Sequence, residues 1–179
     1  MIAFRATFQG ILFLVALLFA TNSHALEFKG RQATVVVAEE SLLQRFDERI
    51  DTSRLRPGNA GGTHLTMADA VTGKVDILVE KVMSILEMDP KLYGLTVVIL
   101  PDTESVRQAY RKAQSNDPGY IAFYAPLEDT IYLSVADVTL QVIAHEIAHA
   151  IIYHYFRVGP SEKIHELLAQ YAASQMPAE

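Results

Sequence analysis

The sequence predicts an α+β fold, a mixed sheet packed against helices, and three observations carry that prediction. Short β-branched or aromatic runs alternate with segments of three-and-four apolar spacing. Late in the chain, two β-prone runs sit close enough to form a hairpin at the sheet's edge. Directly after them comes a segment apolar nearly all round, which as a helix must be buried, followed by a last amphipathic helix.

In order, Ala33 to Ala38 (ATVVVA) predicts a strand. Leu42, Leu43, Phe46 and Ile50 form a helical stripe over 39–50. The period then stops. Arg54 to Thr66 holds Pro57 and three glycines, so 51–67 is expected to be a flexible loop. Val71, Val75, Leu78, Val82, Ile85 and Leu86 share one face of a long helix over 68–88, with Pro90 just past its end. Leu95 to Leu100 (LTVVIL), bounded by Gly94 and Pro101, is a strand covered on both faces. A helix opened by Pro101 and Asp102 carries Val106, Ala109, Tyr110 and Ala113, with its basic side in solvent. Tyr120 to Ala125 and Thr130 to Val135 form the hairpin. Asp137 or Thr139 caps the buried helix, which runs to about Phe156; after Gly159 and Pro160, Ser161 caps a final helix to about Gln175, with Glu162 in its first turn.

At 179 residues the chain is about one domain long, with no internal repeat. Its first residues are expected to leave it. Met1 to Gln9 hold one charge, Arg5; Gly10 to Ala20 are almost wholly apolar; Ser23-His24-Ala25 offers small residues at a cleavage site, so residues 1–25 form a signal peptide and 26–179 a single mature domain. Cleavage takes away Arg5 and no acid, moving the formal charge from −6 to −7. That balance excludes a nucleic-acid footprint. The absence of cysteine excludes disulfides, thiolate metal sites and a lipidated cysteine, so no membrane attachment is expected after cleavage. Any metal site must use His, Asp or Glu.

Such residues stand on the buried helix. In VIAHEIAHAI, 142–151, His145 and His149 are four apart and Glu146 follows the first. Each helical residue turns about 100°, so the two imidazoles lie about 40° apart, one turn along the axis, and reach a single ion. Glu146 is rotated aside, able to touch a water on that ion without displacing a ligand. Two buried histidines lacking partners would cost a few kcal/mol, and an ion removes that cost. The expectation is one zinc ion per chain.

Catalytic zinc takes three protein ligands and leaves a fourth position to water. The extended motif with glycine at 152 and histidine at 155 is absent, because the chain has Ile152 and Tyr155 there. His154 points about 140° away from His149. In IHELLAQYAA, 164–173, Glu166 is the better candidate, since a helix hairpin after the Gly-Pro turn can bring it level with the histidines; His165 is its rival.

With these residues the chain resembles the gluzincins, the thermolysin-like zinc metallopeptidases. Their zinc helix is similar to VIAHEIAHAI, and their second helix bears a glutamate ligand with alanine three residues on, matched by Glu166 and Ala169. Ala122-Phe123-Tyr124 followed by Ile131-Tyr132 resembles the edge-strand segment before the zinc helix. The likeness covers 120–173, about a third of the chain. It departs in a short spacing of 17 residues from His149 to Glu166, in Gln170 where many members have an aspartate orienting a histidine ligand, and in lacking a helical subdomain, so it is closest to the small members called minigluzincins.

The resemblance implies a zincin-like fold and an exported peptidase, periplasmic or secreted from a bacterium. Zinc on His145, His149 and Glu166 would activate a water for which Glu146 is the general base. Tyr171, His165 or His154 would donate to the oxyanion, Gln170 would back the ligands, and a peptide or protein substrate would pair with Ala122, Phe123 and Tyr124. Two alternatives stand beside it. One is a non-catalytic, zinc-stabilised binding domain; the other is a latent peptidase whose 51–67 loop covers the cleft, with His64 on the open zinc position.

Overall fold

A computed structural model describes residues 25–55, 66–113 and 119–177. The expected signal peptide, apart from Ala25, lies outside them. Among the described residues the fold is α+β, with five helices and a mixed five-stranded sheet of order β1-β2-β3-β5-β4.

The first strand, β1 (Leu26–Lys29), has no counterpart in the expectations. It pairs antiparallel with β2 (Thr34–Val37) and is half exposed, so its alternation of Leu26 and Phe28 with Glu27 and Lys29 is the mark of an edge strand. Asp76 fixes the turn between them by accepting from the main-chain N–H groups of Arg31 (2.9 Å) and Gln32 (2.8 Å). Gly30 is required there, since a Cβ would meet Ala33 O at 2.8 Å and the Asp76 carboxylate at 2.9 Å.

Helix α1 (Ser41–Arg49) buries Leu42, Leu43 and Phe46 as its stripe predicts. The expected 51–67 loop begins with a 3-10 turn at Ser53–Leu55 that buries Leu55; residues 56–65, including His64, lie outside the described set. Helix α2 (Met67–Leu86) starts from a capping box in which Thr66 Oγ1 accepts from Asp69 N (3.1 Å) and the Asp69 carboxylate accepts from Thr66 N (3.0 Å). Strand β3 (Thr96–Leu100) lies parallel between β2 and β5 with every residue buried, as a continuous apolar run requires. Helix α3 (Thr103–Ala113) turns Val106, Ala109 and Tyr110 inward and leaves Arg111 and Lys112 exposed.

Strands β4 (Ala122–Ala125) and β5 (Thr130–Ser134) form the antiparallel hairpin, with β4 at the edge. Helix α4 (Leu140–Tyr155) follows. Of the two candidate caps Thr139 is the one used, accepting from Val142 N at 3.3 Å. Asp137 instead ties β5 to the start of α3, taking the hydroxyls of Ser134 (2.7 Å) and Thr103 (2.6 Å). Ser161 stands at the N-cap of α5 (Glu162–Ser174), but its side chain makes no capping bond.

The sheet separates two apolar layers. The larger packs Val35, Val97, Ile99 and Leu133 under α1, α2 and α4, whose Ile143, Ile147 and Ile151 are fully buried. The smaller sets Val36, Val98, Phe123 and Tyr132 against α3. Each large aliphatic group buried this way contributes about 1.5–3 kcal/mol, so α4 is fixed along its length. No helix among the described residues is long and apolar enough to cross a membrane.

Candidate metal centre

Helices α4 and α5 make an antiparallel hairpin joined by 156–161 and tied at its far end, where Gln141 Nε2 donates to Pro177 O at 2.6 Å. Ala169 and Ala172 are fully buried on the facing side of α5, and these small side chains let the axes approach. That approach brings Glu166 level with His145 and His149.

The three side chains form the metal-competent His/Asp/Glu cluster found among the described residues. His145 Nε2 and His149 Nε2 are 3.0 Å apart, and the Glu166 carboxylate oxygens lie 3.5 Å from His145 Nε2 and 3.6 Å from His149 Nε2. Tetrahedral ligands held at about 2.0–2.1 Å from an ion stand about 3.3 Å from one another. The observed separations, nitrogen to nitrogen and each imidazole nitrogen to its nearer carboxylate oxygen, bracket that value, so the two nitrogens and the carboxylate can hold one small ion.

Electrostatics agree with the geometry. Burial pushes the His149 imidazolium down to about 4, helped by the neighbouring rings of His145 and His165, while Glu166 acts the other way. Burial also lowers His145. Both rings are therefore neutral near pH 7, with lone pairs available as ligation requires. Glu146 moves in the opposite sense: burial raises its carboxyl to about 7, partly offset by a main-chain hydrogen bond donated from Tyr124. It is poised to exchange a proton at neutral pH.

A cleft of about 490 Å³ opens over the cluster between α3, β4, α4 and α5. Ala122, Phe123 and Tyr124 line it, as does His165, whose Nε2 donates to His149 O at 3.4 Å and whose ring lies 4.8 Å from that of His149. The other two proposed oxyanion donors stand apart from it. Tyr171 is half exposed and not on the cleft wall; His154 Nε2 is bonded to Asp129 Oδ1 at 2.8 Å on another face of α4. Gln170 donates to Glu166 Oε1 at 3.0 Å and so supports the carboxylate, where the resemblance implied a histidine; four residues along the same helix, that carboxylate is its nearest partner. Tyr153, Tyr120 and Glu162 also line the cleft without having been singled out from sequence. Tyr153 and Glu162 each lie four residues from a ligand, on the same helical face, and that spacing was the available signal.

Comparison with protein-family models, curated proteins and solved structures found no match.

Proposed function

We propose that the chain is an exported zinc peptidase of gluzincin type, with a zincin-like arrangement of edge hairpin, zinc helix and glutamate helix. The observation that carries this reading is Glu146: a half-buried carboxyl with its pKa raised to about 7, beside two imidazole nitrogens and a carboxylate placed to hold one small ion. A purely structural site has no use for such a group.

His145, His149 and Glu166 would hold zinc, which would supply a Lewis acid and lower the pKa of a water toward neutrality. Glu146 takes the proton from the attacking water and delivers it to the leaving amine nitrogen. The Tyr124 N–H holds that carboxylate in place. Ser134 N donates to Ile121 O, and alternation along an antiparallel pair therefore turns the main-chain groups of Ala122 and Tyr124 away from β5. With the Tyr124 N–H taken by Glu146, the Ala122 N–H and the carbonyls of Ala122 and Tyr124 face the open edge, where an extended substrate adds as another strand. The signal peptide that the sequence leads one to expect at 1–25 is what supports activity outside the cytoplasm.

The test uses the chain from Leu26, purified without chelator, as wild type, Glu166→Ala and Glu146→Gln, with zinc measured by elemental mass spectrometry and cleavage measured on casein. The expected result is one zinc per chain in wild type and Glu146→Gln, weakened binding in Glu166→Ala, and cleavage reduced by about 10²-fold or more in both variants. Bound zinc without cleavage in wild type would overturn the peptidase reading, and absence of zinc would overturn the site.

A further inference from the structure

We infer that the far face of β4 carries a specificity subsite, an aromatic shelf of Tyr110, Tyr120 and Phe123 that takes an aromatic side chain of an extended peptide. The inference rests on the peptide-binding reading above and adds what that peptide must contain.

The sheet's pleat sets the geometry. Ala122 and Tyr124 turn toward the α4 layer, whereas Phe123 belongs to the α3 layer with Tyr110 and Tyr132. A strand added at the β4 edge obeys the same alternation, so its residue opposite Phe123 projects to the α3 side while both neighbours project toward α4 and the metal-competent cluster. A bound peptide thus straddles the edge, and one side chain is read on the face away from the ligands.

That face is built from rings. Phe123 stacks on Tyr132 with centroids 4.9 Å apart, Tyr110 meets Phe123 edge-on at 5.0 Å, and Tyr120 meets Tyr110 edge-on at 5.3 Å. Tyr110 and Phe123 are nearly buried and therefore fixed, but Tyr120 is 48 % exposed. All three line the same cleft as His145 and Glu166. Tyr120 consequently offers ring surface on a rigid base, in the same cleft as Glu146 and the ligand cluster. Another ring entering there extends the edge-to-face series, whereas an alanine methyl makes little contact.

The experiment measures binding rather than turnover. Two end-blocked, fluorescein-labelled octapeptides, one with phenylalanine at every second position and one with alanine there, are titrated by fluorescence anisotropy into the Glu146→Gln chain, alone and combined with Tyr120→Ala or Tyr120→Phe. The phenylalanine peptide is expected to bind about tenfold tighter, with the gap nearly lost in Tyr120→Ala and kept in Tyr120→Phe. Equal binding of the two peptides, no binding of either, or a gap that survives Tyr120→Ala would overturn the shelf. The first two outcomes need no Tyr120 variant, so they decide even if Tyr120→Ala fails to fold. Should the gap hold while wild type cleaves nothing, the peptidase reading fails and the shelf stands.

Discussion

His149 and His154 stand five residues apart on one helix and do opposite work. His149 shares a pocket with His145, His165 and Glu166, and burial drives off its proton. His154 is clasped by Asp129, which also accepts from the Tyr124 hydroxyl at 2.9 Å. The first histidine is kept neutral with its lone pair toward an acceptor-rich gap; the second is a brace between α4 and the hairpin turn. Residue type says nothing about which is which, whereas the partner decides it. A carboxylate 3.6 Å away, shared with another imidazole, leaves room for an ion, and one at 2.8 Å does not.

The largest expected effect breaks the pair apart. In His149→Ala, zinc content should fall below one tenth of an ion per chain, and the melting temperature should stop responding to chelator. Wild type, holding zinc at about a thousandfold above its Kd, should lose about 4 kcal/mol and about 10 °C on chelation. Calorimetry with and without chelator checks this, and an unchanged chelator response in His149→Ala would remove His149 from the ligand set.

A middle-sized effect contrasts His149 with Glu146 in metal-free protein. A histidine lowered to about 4 binds fewer protons folded than unfolded, so its contribution makes stability fall as pH drops from about 6.5 to 4. Glu146, raised to about 7, binds more protons folded than unfolded, so its contribution makes stability fall as pH rises from about 4.5 to 7. Metal-free Glu146→Gln should therefore exceed metal-free wild type by on the order of 1–3 kcal/mol at pH 7.5, with the difference closing by pH 4.5. Urea unfolding at the two pH values measures it; an equal difference at both would mean that Glu146 is not the group held off its ordinary range.

The smallest effect is that of His154→Ala, which should leave zinc stoichiometry at one and cost about 1 kcal/mol, roughly 3 °C in melting temperature. Loss of zinc in this variant would make the brace part of the centre.

Much of this was legible in the sequence because it is encoded by spacing. His145, Glu146 and His149 are fixed relative to one another by the helix itself, and α4 is identified as buried by its apolar residues alone. The all-apolar run of β3 likewise announces a central strand. What was missed depends on distant partners. Four-residue β1 does alternate Leu26 and Phe28 with Glu27 and Lys29, but two repeats are too short to stand out in the sequence, and what holds the strand is its register with β2 and the packing of Leu26 and Phe28. Gln170 finds Glu166 because both lie on α5, a local contact that analogy with an orienting aspartate obscured. Whether Asp137 or Thr139 caps α4 turns on where Thr103 stands, 34 residues before Asp137.

Tyr124 is attached twice, by its main-chain N–H to Glu146 and through its hydroxyl and Asp129 to His154. Both attachments end on α4, eight residues apart. The hairpin therefore acts as a gauge block for that helix: its phase along α4 is set at two points by a single residue. An insertion of one residue in the turn at 126–129 would shift the register of Tyr124 on Ile131, and a one-residue slip turns side chains to the opposite face. This turn, though exposed at Leu127, should be among the segments least tolerant of a change in length.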